Sequence, residues 1–333
     1  MANAAHAARP DATRETACPL CDRVDYRVVS EVDRAGAPLR TVVCQACGLV
    51  WTNPRPSDAD VDRYYATEYR LDYARSRTPT RRKLLRGFLG AAERRAWLAP
   101  WLTPGAAVLD IGAGAGELVF LLRQQRIDAA GLEPGHAFAE FCRDVLQIPM
   151  QTATVEQAVV APASQSLITM FHMLEHVTDP GRTLARIRDW LLPGSGRLVV
   201  EVPNVLSTVQ APRHRFHYAH LFNYSIPTLT GFGAGAGLTL VSSRETEDGG
   251  NIVGVFKVGD EAVVLDRQAL AANAKVTQEV LAGHQTLPHY LGTTPYRRAW
   301  HKLKRRRQEN RLLSRLRTTE ALLDWARKLA VAP

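Results

Sequence analysis

An α/β domain built on a mostly parallel sheet with helices on both faces is the fold class this 333-residue chain predicts, with a small cysteine-paired ribbon before it and a basic helical tail after it. Three observations carry that expectation. From Ala106 onward, strand-like and helix-like segments alternate, the pattern of a parallel sheet with covering helices. Four of the five cysteines fall as Cys18-x-x-Cys21 and Cys44-x-x-Cys47. The net charge of +9 is local: residues 297–317 hold ten Lys or Arg against one acid, Glu309, and the rest of the chain balances to zero. The charge is therefore a property of the tail, not the electrostatic footprint of a whole nucleic-acid-binding fold.

Apolar residues make up 46% and charged residues 23%, a globular rather than disordered profile. Residues 1–17 lack the apolar core of a secretory signal and read as a disordered N-terminus. No apolar run approaches the roughly 18 residues that span a bilayer, so a cytoplasmic protein is expected. In a reducing compartment the two cysteine pairs read as a tetrahedral thiolate zinc site before they read as disulfides. Cys18, Cys21, Cys44 and Cys47 are the predicted ligands of a ribbon over residues 18–56. Val24–Val32 and Leu39–Val43 supply two strands around the turn Arg34-Ala35-Gly36. Four thiolates leave no open position for water, so the metal is expected to staple rather than to catalyse. Cys142, within an expected helix Ala137–Leu146, reads as a buried small hydrophobe.

After Asn53-Pro54-Arg55-Pro56, Ser57 is placed to cap a short helix leading to Tyr64, Tyr65 and Tyr69. Residues 57–104 form a helical connector, whose part 70–95 carries nine basic residues against two acids. In the domain 105–260, Ala106–Ile111 is a buried strand, Glu117–Arg126 a helix and Asp128–Leu132 a second strand. Later strands are Leu167–Met170, Arg197–Val202, Leu238–Arg244 and Asn251–Lys257. Residues 203–225 read as an insertion covering the substrate, and 261–333 as a basic helical extension.

The run Val108-Leu109-Asp110-Ile111-Gly112-Ala113-Gly114-Ala115-Gly116 joins the first of these strands to the first helix. Glycines allow a sharp turn and close ligand approach, and the helix start offers unpaired amide donors. Dinucleotide folds use the same device. Here, however, Asp110 lies two residues before the first glycine, and the second strand ends Gly131-Leu132-Glu133-Pro134. A carboxylate at that tip can accept both hydroxyls of a ribose.

With these residues in order, and with His172-Met173-Leu174-Glu175-His176-Val177-x-Asp179-Pro180 and His217-Tyr218-Ala219-His220-Leu221-Phe222-Asn223-Tyr224-Ser225 following, the sequence resembles the class I S-adenosylmethionine-dependent methyltransferases. The resemblance covers about residues 18–258 and is specifically to bacterial members with an N-terminal zinc ribbon that act on sugars, glycans or natural products. It implies a Rossmann-like sheet. It places the cofactor's amino-acid end at Asp110, Gly112, Ala113, Gly114 and Gly116, its ribose at Glu133 beside Pro134, and its sulfonium beside His172 and Met173. The adenine-contacting acid is not identified, although Thr154, Val155 and Glu156 lie in the right region.

Methyl transfer from a sulfonium is an in-line displacement in which alignment provides several kcal/mol, on the order of seven or more. A hydroxyl acceptor must also lose a proton, and a histidine suits that task. His220 and His176 are the candidate bases. Glu175 is placed either to orient His176 or to cap the helix that begins near Asp179-Pro180. In similar sugar C-methyltransferases a Glu-His pair precedes a Tyr-Phe-Ser run; here Ala219 takes the Glu position. That departure, with only about 75 residues after Lys257 where those enzymes carry a large extra domain, favours O-methylation. Tyr69, His217 and Arg215 are candidate substrate residues, and Arg213 and Arg215 suit a phosphate or carboxylate. His214, His217 and His220 on one helix would make a metal site, against which Pro212 argues.

The expected acceptor is a hydroxyl of a sugar, glycolipid, polysaccharide or glycosylated natural product. The alternatives are C-methylation of a nucleotide-linked sugar, RNA methylation and a non-catalytic cofactor-binding scaffold. Aromatics are only 7% and do not interleave with the basic run, which argues against nucleic acid as a partner. Trp300, Leu303, Leu312, Leu313, Leu316, Leu323 and Trp325 punctuate the arginines of the tail at loosely helical intervals. A basic amphipathic helix of this kind is expected by default to stand as an exposed, solvated helix; the other readings are that it rests on the anionic inner face of a membrane or packs on the body.

Overall fold

The computed structural model describes residues 15–56, 78–259 and 264–331. The expected capped helix from Ser57, with Tyr64, Tyr65 and Tyr69, and most of the segment expected to be disordered at the N-terminus lie outside the described residues. The chain divides into two compact units, one of residues 1–64, 172–188 and 200–298, the other of residues 65–171, 189–199 and 299–333.

In the second unit, α1 (Arg81–Leu98) starts at Thr80, whose hydroxyl accepts from the Lys83 amide. Its buried residues Leu84, Leu85, Phe88, Ala91 and Leu98 repeat at helical spacing. The basic connector is therefore amphipathic, and Phe88 meets Phe120 of α2 (Glu117–Gln124) with ring centroids 5.5 Å apart. Strand β4 (Ala107–Ile111) lies parallel to β5 (Asp128–Leu132) on one side and to β7 (Leu167–Phe171) on the other; β6 (Met150–Gln151) runs parallel to β5. These strands read as near-continuous apolar runs because both of their faces are buried. The two-residue β6 carries no periodicity that a sequence reading can detect. Cys142 is fully buried on α3 (His136–Asp144), as expected of a small hydrophobe.

The wider sheet has seven strands. Beyond β7 come β8 (Arg197–Pro203), β11 (Asn251–Val258) and β10 (Leu238–Glu245), and the full order is β10-β11-β8-β7-β4-β5-β6. The chain runs outward from β4 through β5 to β6, then returns to β7 on the other side of β4. The carboxyl end of β4 is thus a topological switch point, where open α/β sheets leave a crevice for ligands.

In the first unit, β1 (Tyr26–Val32), β2 (Pro38–Cys44) and β3 (Val50–Thr52) form the expected ribbon. Asp33 closes its turn, with Oδ1 accepting from the Ala35 and Ala37 amides at 2.9 Å each. A fourth strand joins this sheet, β9 (Phe222–Asn223), pairing Trp51 with Phe222 and Val50 with Asn223. The ribbon and the segment read as a substrate cover are therefore one sheet. The pairing spans about 170 residues of sequence and is driven by burial: Trp51, Phe222 and Tyr224 are wholly inaccessible. Helix α4 (Pro180–Trp190) is capped by Asp179, which accepts from the Arg182 amide at 2.9 Å, so capping is not the job of Glu175. Helix α5 (Ile226–Gly235) begins with a reciprocal Ser225–Thr228 capping box. Helix α6 (Arg267–Gly283) sends the amide of Asn273 to the Cys47 carbonyl at 2.8 Å, and the short α7 (Thr286–Leu291) follows.

The C-terminal extension departs from the single amphipathic helix expected. It breaks after Arg315 into α8 (Thr294–Arg315) and α9 (Thr319–Val331). Leu322, Leu323, Ala326 and Ala330 of α9 are buried, and the Gln125 side chain bonds the Ala330 carbonyl at 2.9 Å. Leu323 therefore belongs to the core, and Trp325 is half-buried. Glu309, the one acid in the basic run, is 1% exposed. Its carboxylate accepts from Arg86 at 2.6 and 2.7 Å and from Arg82 at 3.1 Å, which lowers its pKa. Nine residues before Glu309, about two and a half turns away and so on the opposite side of α8, Trp300 is 59% exposed. Among the described residues no helix is long and apolar enough to cross a membrane.

Candidate functional site

In the second unit the turn after β4 is tied to the end of β5. The Gly112 and Ala113 amides donate to the Leu132 carbonyl at 2.8 and 3.0 Å. Glu133 is buried, and its two oxygens are split: one accepts from the Gly114 amide and the other from the Gly135 amide, both at 2.9 Å. This carboxylate thus clamps the glycine turn as well as standing at the expected ribose position. Gly116 is required twice over, by φ +75° and because a Cβ there would lie 2.5 Å from Ile148 Cδ1. Asp110 is 5% exposed and accepts from the Thr169 hydroxyl at 2.6 Å. Burial raises its pKa to about 6, against the lowering effects of Thr169 and Arg94. Arg94 lies on α1, with its guanidinium 4.0 Å from the Phe171 ring centroid. Of the adenine-region residues, Val155 is wholly buried and Glu156 is exposed.

In the first unit, the residue after Phe171 is His172, which adopts the left-handed backbone (φ 55°) uncommon for a non-glycine. Its Nε2 lies 3.1 Å from Glu201 Oε1 and its Nδ1 3.5 Å from Glu175 Oε1. Burial pulls its pKa down, but the two carboxylates outweigh burial and hold it at about 9. Asn251 donates to the same Glu201 oxygen at 3.1 Å. Glu175 is 1% exposed; neither oxygen has a well-formed hydrogen bond, although His172 and, at 3.7 Å, His176 Nε2 are within ion-pair distance. Burial raises its pKa, but His176, His172 and His220 reverse that and leave it near 2, an anion at neutral pH.

His176 donates Nδ1–H to the Ala219 carbonyl at 2.7 Å, which turns Nε2 toward Glu175. The His220 ring stands 5.0 Å from the His176 ring and 5.4 Å from the His217 ring. Donor atoms of Glu175, His176 and His220 all lie within 4.8 Å of one another. Burial, followed by His176, pushes His220 well below the ordinary histidine range. His220 therefore has a carboxylate neighbour, Glu175, although Ala219 precedes it in the chain. Tyr224 closes the cluster, its hydroxyl donating to the Leu174 carbonyl at 3.1 Å.

The four paired cysteines also converge. Cys18 and Cys47 sulfurs are 3.5 Å apart, as are those of Cys21 and Cys44, and all four lie within 4.8 Å of one another. Bonds of about 2.3 Å to one tetrahedral ion would set sulfurs about 3.8 Å apart, so the donor set fits such an ion. Gly48 (φ +76°) lets the second knuckle turn, and a Cβ there would strike Asn273 Nδ2 at 2.6 Å and Ala274 Cα at 2.8 Å.

Of the candidate residues, Asp110, the glycines and Glu133 sit together, and His176, His217 and His220 sit together with His172. Met173 follows His172 and is partly buried. Arg215 is directed elsewhere, donating to the Val205 carbonyl and the His284 ring at 2.5 Å each. His214 ends a 3-10 turn that starts at Pro212, so the three-histidine helix does not form. Tyr69 lies outside the described residues. Sequence reasoning missed Glu201, Asn251, Thr169 and Arg94. Only Glu201 left a signal, as a lone acid inside the apolar strand Leu198-Val199-Val200-Glu201-Val202.

A glycine turn and two buried carboxylates stand together at the ends of β4 and β5, at the topological switch point of an α/β sheet. Residues 81–243 match the family model described as a methyltransferase domain. Over that span, just under half of the chain, the protein is similar to methyltransferase domains, and its strand order is that of the class I S-adenosylmethionine-dependent type. The ubiquinone biosynthesis O-methyltransferase of Saccharophagus degradans is 31% identical over 93 residues, 26% of this chain and 39% of that protein. The protein of the same name from Stutzerimonas stutzeri is 31% identical over 96 residues, 27% of this chain and 41% of its own. The chain thus spans about two fifths of the length of these relatives. Among solved structures, the 1,6-didemethyltoxoflavin-N1-methyltransferase of Burkholderia thailandensis aligns with TM-score 0.48 and 19% identity, over 64% of this chain and 96% of that one. The CcbJ methyltransferase of Streptomyces caelestis aligns with TM-score 0.45 and 15% identity, over 51% and 95%.

Proposed function

We propose that this protein transfers a methyl group from S-adenosylmethionine to a hydroxyl of a sugar-containing small molecule or glycan, with His220 as the general base. The observation that supports this most is the pairing of a neutral His220 with the anionic, hydrogen-bond-poor Glu175. A neutral imidazole can accept the hydroxyl proton as the oxygen attacks the methyl carbon. The imidazolium so formed then stands beside a carboxylate already ionised to receive it. The O-methyltransferase names of the relatives favour oxygen over carbon as the acceptor. Asp110 and the Gly112–Gly116 turn would hold the cofactor's amino-acid end and Glu133 its ribose. When bound, the cofactor supplies the activated methyl group.

The Asp110 assignment is tested by pH. An ammonium group favours the ionised carboxylate, and the folded pKa of about 6 means that the proton must leave before binding. The affinity for S-adenosylmethionine, measured by calorimetry, is expected to fall about tenfold between pH 7 and pH 5. In Asp110→Asn that fall should vanish. Absence of micromolar binding at pH 7 would defeat the enzyme reading altogether.

The four-cysteine cluster is proposed to hold a structural zinc ion. Elemental analysis of the purified chain is expected to return one zinc per chain, and Cys47→Ser to lose both the metal and cooperative unfolding. A metal-free chain with unchanged melting would refute the assignment.

We also place the enzyme at an anionic membrane surface through α8. Tyr296, Trp300 and Leu303, at i, i+4 and i+7, form one exposed stripe; Lys304 lies beside Trp300 at 5.4 Å, with Arg307 and Arg311 on the same side. The opposite side carries Glu309, so docking on the body leaves this stripe outward. Sedimentation with phosphatidylserine vesicles is expected to pellet the protein, and Trp300→Glu/Leu303→Glu to leave it in solution. Equal pelleting of wild type and variant would end the attachment idea.

A further inference from the structure

A cavity of about 480 Å³ in the first unit lies between the turn that follows β1 and the segment around Arg215. We infer that it is a binding site for the phosphate end of a small-molecule ligand. Three guanidiniums reach it from two parts of the chain: Arg34 from the turn, and Arg213 and Arg215 from the segment before Phe216. The two walls are stitched together where the Arg34 amide donates to the Phe216 carbonyl at 2.8 Å. His214 on the rim has its pKa lowered by burial and then by Arg213, Arg34 and Arg298, so the positive field of all three arginines converges there.

Arg215 is the half-buried member, and its partners are neutral. One nitrogen donates to the Val205 carbonyl and the other to His284 Nδ1, each at 2.5 Å. Because His284 Nδ1 accepts, its proton sits on Nε2, which donates to His289 Nδ1 at 3.2 Å. Burial and then Arg215 push His284 down to about 4, so this ring cannot answer the charge, and burial alone pushes Arg215 down to about 10. Among the described residues no carboxylate is within ion-pair distance of Arg215. Asp33 also lines the cavity, its Oδ1 held by the amides of the turn; its one negative charge against three guanidiniums leaves the lining with an excess of positive charge. A cation left uncompensated in a partly desolvated place is costly unless a ligand supplies the opposite charge. Guanidiniums match the oxygens of a phosphate in bidentate fashion, and several of them suit a dianion. The volume admits a phosphate with a sugar-sized group attached.

The inference goes beyond the proposed methyl transfer and is tested without it. The full chain, at constant ionic strength and with no S-adenosylmethionine, is titrated calorimetrically with inorganic pyrophosphate. Saturable one-to-one binding with Kd of about 1 mM or tighter is expected. The double variant Arg34→Gln/Arg213→Gln, both at exposed positions, should weaken it by about tenfold or more, and Arg215→Lys, which keeps the charge but loses the fork, by a similar factor. Equal pyrophosphate affinity in wild type and the double variant would overturn the inference, since the anion would then sit elsewhere, as on the basic face of α8. No saturable binding would overturn it too. If pyrophosphate binds as expected while S-adenosylmethionine does not, the methyltransferase reading fails and the phosphate site stands; the reverse result removes the phosphate site alone.

Discussion

Replacing His220 by Ala is expected to lower methyl transfer by about 10²–10⁴-fold, the usual contribution of a positioned general base. Calorimetric affinity for S-adenosylmethionine should stay within about twofold, since the resemblance does not assign His220 itself to the cofactor. The readout is mass spectrometry of glycans and glycolipids from the producing cell, incubated with protein and cofactor, scored for the gain of one methylene. Glu175→Gln should act through His220. It removes the carboxylate that offsets the imidazolium, so the loss should be smaller and accompanied by a shift of the acid limb of the rate profile. The sign follows from the groups around the ring. His220 must be neutral to work, and burial already lowers its pKa below about 6.5, so activity fails only at acid pH. His172, His176, His217, Glu201 and Tyr224 surround the same place. The Glu175 carboxylate raises the pKa of His220 against burial and His176, so its loss should move the limb to still lower pH. Unchanged turnover in His220→Ala would remove it as the base, and an unmoved profile in Glu175→Gln would reduce Glu175 to a packing role.

Glu133→Ala is expected to weaken S-adenosylmethionine binding by about 30–100-fold, corresponding to about 2–3 kcal/mol. Two losses add. The expected ribose hydroxyls lose a charge-assisted acceptor, and the Gly114 and Gly135 amides lose the oxygens that hold the turn in place. Glu133→Gln separates the two. A Gln oxygen can keep one of these amides, but its NH₂ then faces the other, so part of the clamp should fail even where the shape is kept. Hydrogen exchange at the Gly114 amide reports the clamp directly. Tight cofactor binding in Glu133→Ala would show that neither role matters.

Much of this was legible one residue at a time. Asp110 and the following glycines advertise themselves because a strand end, an acid and three glycines rarely coincide without a ligand to approach, and Cys18, Cys21, Cys44 and Cys47 because thiolate ligands come in knuckles of fixed spacing. Local chemistry determines both. Glu175 was legible as a residue but not as a role. Its proximity to His220, 45 positions later, comes from residues 219–224 meeting residues 174–176, where Ala219 holds His176 and Tyr224 holds Leu174, and a short irregular segment has no periodicity to read. Between orienting His176 and capping the next helix, only the structure excludes the cap, because Asp179 holds the Arg182 amide. Glu201 was hidden for a related reason, since an acid in an apolar strand shows its meaning only when His172 is seen against it.

The basic tail divides the same way. Its charge and its helical spacing are properties of the sequence and hold in the structure. That Glu309 is the anchor, that Leu322, Leu323, Ala326 and Ala330 of α9 are core and that Tyr296, Trp300 and Leu303 of α8 face outward are decisions of the tertiary structure. Periodicity records which residues share a face of a helix, but which face meets the body depends on partners such as Arg82 and Arg86, more than 200 positions away. The sequence by itself determined the sheet, the cofactor turn and the thiolate knuckles, because each is specified by residues close together in the chain. Only the tertiary structure decided which histidine meets a carboxylate and which arginine is left without one, because burial and countercharge arise where distant segments meet.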